Sequence, residues 1–232
     1  MKVGLVLPVF ERSPAKALAV ARDAEAAGID GVFSYDHFFP LNRPDRPSLP
    51  ALGILPAVAV HTDRIHIGSL IIRVTTLPAP VLVHSLVTLN QIARGRVIAG
   101  LGTGDSLTRP EVETYGLEFP PLAERLARLR HVARELRARG VPVWIGGRSA
   151  AVREVARDEA DAWNTWDGPL SELAASSGPV TWGGPSPRDI DLAGHVKLLA
   201  AAGAAWAVYG PVPSIDWPAF VRELAGAAEG VQ

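Results

Sequence analysis

The chain has 232 residues, 48% of them hydrophobic, with 23 basic and 24 acidic side chains and no cysteine. That length and apolar content support a large buried core, either one α/β barrel or two small domains. The near-neutral balance gives no long-range pull toward nucleic acid or an anionic membrane, and the missing cysteines exclude disulfides, thiolate nucleophiles and cysteine-ligated zinc, so the expected partner is a small molecule.

The opening segment, 1–10, holds a lysine and a brief apolar run, but Pro8, Glu11 and Arg12 cut it short as a signal peptide, and it reads as a first strand. The longest charge-free stretch, 74–93, carries Pro78, Pro80, His84, Asn90 and Gln91, which a membrane span tolerates poorly. A soluble, cytoplasmic protein is expected.

One unit then repeats: an amphipathic segment stops at glycine and an apolar, strand-like run begins within a few residues. EAAGIDGVFSY, IARGRVIAGLG, RARGVPVWIGG and AAAGAAWAVYG all follow it, with Gly28, Gly95, Gly140 and Gly203 as helix stops. Ser13-Pro14 and Ser186-Pro187 place a capping hydroxyl before a first-turn proline, and Asp189 completes a capping-box spacing with Ser186. Strands are expected at 3–8, 31–35, 65–72, 96–101, 142–145, 162–165, 179–182 and 205–209, each followed by a helical stretch. Strict alternation means parallel pairing through crossover helices, and eight units close as a (β/α)8 TIM barrel, typically about 250 residues, here a single domain over 1–232. A doubly wound open sheet is the alternative. In the helix 121–139, Leu122, Leu126, Leu129, Val132 and Leu136 share one face, and Arg125, Arg128, Arg134 and Arg139 lie away from it as a solvated surface.

Barrel sites lie at the C-terminal ends of the strands. After the second strand comes Asp36-His37: an imidazole there can exchange a proton near neutral pH, and the adjoining carboxylate can orient it or raise its basicity. After the fourth comes GLGTGDSLTR, whose Gly100, Gly102 and Gly104 permit close backbone approach to a ligand, although G-x-G-x-G is not the dinucleotide spacing. After the fifth, IGGRSAAVREVARDEADAWN runs from strand through paired glycines directly into a helix, a corner where amides and a helix N-terminus can face one phosphate, or a plain turn. Trp163, Asn164, Thr165 and Trp166 after the sixth strand, and Trp182 after the seventh, offer polar and flat aromatic surface to a planar ligand, whereas Trp206 reads as packing. No H-E-x-x-H or G-x-S-x-G occurs, and Lys2, Lys16 and Lys197, the only lysines, stand at no strand C-terminus. Metal hydrolysis, serine acyl transfer and Schiff-base chemistry are disfavoured, and a cofactor-binding oxidoreductase fits best.

On VGLVLP, ARDAEAAGIDGVFSYDHF, RIHIGSLIIRVTTLPAPVLVHSLVTLNQIARGRVIAGLGTGD and WIGGRSAAVREVARDEADAWN, taken in that order, the chain resembles the luciferase-like monooxygenase superfamily, most closely its oxidoreductases that use the deazaflavin coenzyme F420. The resemblance implies a (β/α)8 barrel with an isoalloxazine-like ring at its C-terminal mouth. It implies Asp36 and His37 facing that ring, a non-prolyl cis peptide at Leu70-Ile71, and a ligand loop at Thr103 and Gly104. It also implies a phosphate corner at Gly146, Gly147 and Arg148, with Asn164 and Thr165 beside it. The expected activity is hydride transfer between coenzyme F420 and a small organic substrate, with His37 as acid or base. FMN-dependent monooxygenation and non-catalytic flavin binding are the alternatives, and the stretch 78–89 fits either a homodimer contact or a core-facing helix. Two departures stand out. The segment between the fourth helix and the fifth strand is shortened, since Gly140 leads straight into Val141-Pro142. Thr108 stands where relatives carry asparagine, and an arginine is common in relatives near the position of Leu77.

Overall fold

A computed structural model describes residues 1–187, 191–211 and 215–230. The element order is β1 (Lys2–Val6), α1 (Ala15–Ala26), β2 (Gly31–Ser34), α2 (Ala51–His61), β3 (His66–Ser69), β4 (Ile72–Arg73), α3 (Ala79–Ile92), β5 (Val97–Gly102) and α4 (Arg109–Thr114). It continues with α5 (Leu122–Arg137), β6 (Val143–Gly146), α6 (Ala150–Glu159), β7 (Ala162–Trp166), α7 (Leu170–Ala174), β8 (Val180–Pro185), α8 (Leu192–Ala201), β9 (Ala204–Gly210) and α9 (Trp217–Glu229).

All strand pairs are parallel, and the sheet closes because β1 pairs with both β2 and β9 while β5 pairs with β3 on one side and β6 on the other. The result is the expected eight-stave barrel with its helices outside, not an open sheet. The third stave departs from the expected single strand: Gly68 is opposite Ile98, but Ile72 is opposite Leu101, so this stave carries one extra residue. The bulge divides it into β3 and β4, and the Leu70-Ile71 peptide between them is cis, as the resemblance implied.

Two packed layers result. Most apolar side chains fill the space between barrel and helices; a smaller set, including Val6, Phe33, Leu70, Ile98, Trp144, Trp206 and Val208, fills the barrel itself. Phe33 sets the inner packing. It stacks on Trp144 at 5.2 Å and meets Trp206 edge-on at 5.8 Å, and a Cβ added at Gly4 or Gly68 would lie within 2.9 Å of its ring. Trp206 is packing, as expected. Trp163 and Trp182 are too: they belong to the outer layer, their indole N–H groups donating to the carbonyls of Gly147 (2.7 Å) and Gly168 (3.2 Å), so they offer no surface to a planar ligand.

Gly28, Gly95, Gly140 and Gly203 end their helices with φ between 72° and 90°, as expected of left-handed stop residues. Between Arg137 and Val143 the chain needs only this stop and a short extended step, which accounts for the shortened connection. At the first helix Ser13 accepts from the Ala15 amide at 3.2 Å. The Ser186–Asp189 cap falls partly outside the described residues; α8 instead starts on Asp191, whose carboxylate accepts from the Gly194 amide at 2.6 Å. No helix among the described residues is long and apolar enough to cross a membrane.

Candidate functional site

Four charged or titratable side chains from two strand ends and a helix meet at the C-terminal mouth. Asp36 and His37 follow β2, Arg73 ends β4, and Glu111 stands in the first turn of α4. Arg73 is buried because the bulged third stave turns it inward beside its neighbours, and a buried guanidinium requires partners. It finds them in Glu111, whose Oε2 and Oε1 accept from its two terminal nitrogens at 2.9 and 3.1 Å, and in the carbonyl of Asp36. The Glu111 side chain is only 1% exposed. It also accepts from the backbone N–H of Phe38 and contacts Nδ1 of His37 at 2.8 Å.

The two carboxylates differ sharply in environment. Burial alone would raise Glu111, but the His37 contact, the Phe38 amide and Arg73 together hold it below the usual carboxylate range. Asp36 is pushed up to about 7 because burial outweighs the opposing pull of Arg73 and of the Arg73 amide, which donates to its Oδ2 at 3.4 Å. The expectation that Asp36 orients His37 is therefore corrected: Asp36 engages Arg73, and the carboxylate bonded to the imidazole is Glu111. Glu111 and Arg73 were missed from sequence. The available signal was a lone arginine in the apolar run IHIGSLIIRV, a charge that burial obliges to find a partner.

An aromatic row flanks the imidazole. Phe10 stacks on Tyr35 at 5.9 Å, both lie about one ring's distance from His37 (6.1 and 6.0 Å), and Trp166, still 40% exposed, meets Tyr35 edge-on at 5.6 Å. Gly100 and Gly102 do not open the backbone to a ligand, as the sequence suggested. A Cβ at Gly100 would lie 2.0 Å from the Ser69 carbonyl and one at Gly102 2.0 Å from Cδ1 of Ile71, so these glycines make room for the barrel wall. Ile71 also reaches Gly146, and Leu70 lines the inner cluster. Thr103 and Gly104 are held from beneath by Arg125, which donates to both their carbonyls (3.0 and 2.7 Å) and to that of Pro120 (2.9 Å). Arg125 is thus buried and committed to the mouth, not part of the solvated face expected for it, while Leu122, expected on the apolar face, is 43% exposed.

At the glycine corner, Gly147 has φ 137° and its amide donates to the Asn164 carbonyl at 3.3 Å, so that N–H is already used. Ser149 caps α6 by accepting from the Val152 amide at 3.3 Å, and the helix N-terminus carries the positive end of its dipole. Arg148 and Arg153 share one carboxylate, Glu172, at 2.7 and 3.1 Å. Asp167 also acts on Arg148, so the charges there balance, and it is the guanidinium donors and the helix N-terminus that suit a phosphate. Asn164 and Thr165 are buried and turned to Thr181 (2.9 Å) and Glu172 (3.3 Å), so they brace the corner from behind.

The sequence model for the luciferase-like monooxygenase family matches residues 1–138. An F420-dependent glucose-6-phosphate dehydrogenase of Kineococcus radiotolerans is 36% identical over 135 residues, covering 58% of this chain and 39% of that protein. The enzyme of the same name from Beutenbergia cavernae is 31% identical over 182 residues, covering 77% and 52%. The chain thus spans about half the length of these curated relatives or less. Among solved structures, an F420-dependent secondary alcohol dehydrogenase in complex with an F420-acetone adduct aligns with TM-score 0.82 at 15% identity, covering 100% of this chain and 99% of that one. The coenzyme F420 dependent tetrahydromethanopterin reductase of Methanopyrus kandleri aligns at 0.79 and 13%, with the same coverage. These two likenesses concern the fold. With a family match over more than half its length and a closed parallel barrel of the same architecture, the chain belongs to the luciferase-like monooxygenase family.

Proposed function

We propose that this protein is an oxidoreductase that binds coenzyme F420 and passes a hydride between it and a small organic substrate, with His37 managing the accompanying proton. The observation that carries this reading is an imidazole held on a buried carboxylate at the barrel mouth, in a chain whose curated relatives are named for coenzyme F420. A deazaflavin, when bound, supplies a central ring carbon that accepts or returns two electrons as hydride. His37 does the rest of the balance: as an alcohol carbon gives up hydride, its hydroxyl proton goes to the imidazole and a carbonyl forms, and in the reverse direction the imidazolium returns that proton.

In this reading Leu70 and Ile71 form the wall behind the ring, Thr103 and Gly104 border it on the backbone held by Arg125, and Gly146, Gly147 and Arg148 with the α6 N-terminus receive the phosphate. Asn164 and Thr165 keep that corner in place. Asp36 acts through Arg73 and does not touch the substrate. The family's description as monooxygenases favours FMN as the competing cofactor. Self-association is proposed through α3, whose Val81 and Ile92 remain 48% and 43% exposed, and a dimeric mass in light scattering would support it.

Titration of the purified protein with coenzyme F420 and, separately, with FMN, each followed by fluorescence quenching, tests the cofactor assignment. Saturable quenching of F420 is expected. Tight binding of FMN with none of F420 would reverse it.

A further inference from the structure

We propose that Glu111 is the positioning residue of His37: clamped by Arg73 and the Phe38 amide, it holds the imidazole with its ring proton on Nδ1 and leaves Nε2 as the basic nitrogen. The consequence for turnover rests on the hydride-transfer reading above; the tautomer itself does not.

The inference follows from counting donors on one carboxylate. Oε1 receives the Phe38 N–H and one Arg73 nitrogen, and Oε2 receives the other Arg73 nitrogen. A guanidinium and a backbone amide can only donate, so Glu111 is held as an acceptor on both oxygens, in its ionised form. The remaining contact, Nδ1 of His37 to Oε2 at 2.8 Å, must then have its proton on the ring. A neutral imidazole with a proton on Nδ1 has its lone pair on Nε2, and among the described residues nothing hydrogen-bonds Nε2.

The surroundings make this geometry persistent. Phe10 and Tyr35, stacked on each other, pack beside the ring, and the His37 side chain is 21% exposed, so part of it remains open to solvent or a ligand. The groups able to influence its charge are Glu111, Arg73, Asp36 and the buried phenol of Tyr35, whose ionisation burial suppresses. Arg73 offsets one negative charge, so the cluster is neutral with Asp36 protonated and His37 uncharged. A proton arriving at Nε2 makes an imidazolium whose nearest counter-charge is Glu111. A carboxylate on one ring nitrogen that fixes the tautomer and stabilises the cation formed at the other is a general way to build a histidine base.

The test is the ring ¹⁵N–¹H correlation spectrum of the protein without cofactor, with the His37 signals identified by their loss in His37→Ala. The wild type is expected to show the Nδ1–H tautomer, and an Nε2–H tautomer would overturn the proposal whatever any variant does. In Glu111→Gln the side-chain amide can donate to Nδ1, so the Nδ1–H preference should be lost. Turnover should fall by at least ~100-fold with F420 affinity unchanged, and the acid limb of kcat/KM should move to lower pH as a nearby negative charge is removed. Retention of the tautomer and of the wild-type rate in Glu111→Gln would also overturn it. If that variant fails to fold, the wild-type spectrum decides alone. Full turnover in His37→Ala, with the Nδ1–H tautomer seen in the wild type, would sink the proton-transfer reading and leave the positioning role standing.

Discussion

A carboxyl group as deeply buried as Asp36 responds to pH through its own desolvation. Its folded-state value, about 7, lies above the ordinary aspartate value of roughly 4, so between these limits the folded chain holds a proton that the unfolded chain has released. Stability from this group is therefore fully present below roughly pH 4 and declines as pH rises toward 7. Asp36→Asn should flatten the fall in unfolding free energy over that window, measured by urea denaturation at a series of pH values; an unchanged slope would mean that Asp36 is ionised in the folded protein. Glu111 has the opposite sign, since its value is lowered and its contribution disappears only in acid. His37→Ala should keep F420 affinity while turnover drops by at least ~100-fold, and undiminished turnover would remove His37 from the chemistry. The Asp36-His37 pair was legible because adjacency after a strand end is a local signal. Glu111 was not, because it lies 74 positions from His37 and a glutamate after a proline at a helix start looks like an ordinary surface residue.

At the scale of elements, α5 shows how a helix can be read correctly as a cylinder and incorrectly at one end. Leu129, Val132 and Leu136 pack inward as the spacing requires, but the first turn lies over the β5 loop, where Arg125 is drawn in by three carbonyls and the ring of Phe119 at 4.1 Å. Periodicity knows a helix's faces, not what its end abuts. Arg125→Ala should leave those carbonyls unpaired, cost about 1–3 kcal/mol of stability and speed amide exchange around Gly104. Unaltered exchange there would show that the loop holds itself. At the α6 corner the glycine backbone is a poor place for a probe, because any side chain at Gly147 meets Val152 at 3.0 Å and an unfavourable φ. Charge reversal at exposed Arg148 avoids that. Arg148→Glu should weaken F420 binding by about tenfold through loss of one charge-assisted contact, without lowering the thermal midpoint much. Equal affinity would place the phosphate elsewhere.

For the whole molecule, the barrel was legible because eight apolar runs punctuated by glycine stops allow few closed arrangements, and parallel crossovers leave fewer. The broken third stave was not, since IHIGSLIIRV is largely apolar without strict alternation and one extra residue leaves no trace in such a run. That one residue turns Arg73 toward Asp36 and Glu111, so a detail of register decides the electrostatics of the mouth. Phe33 holds the interior at the other extreme of certainty: Phe33→Ala should cost about 3–5 kcal/mol, because neighbouring glycines cannot refill the space, and chemical denaturation would register it as a lower midpoint. The most direct measurement is a crystal structure of the protein with coenzyme F420 bound. The deazaflavin ring is expected against Ile71 and the His37 imidazole, with the phosphate at Arg148 and the first turn of α6. A ring seated away from His37, or a phosphate remote from that corner, would contradict the proposed site.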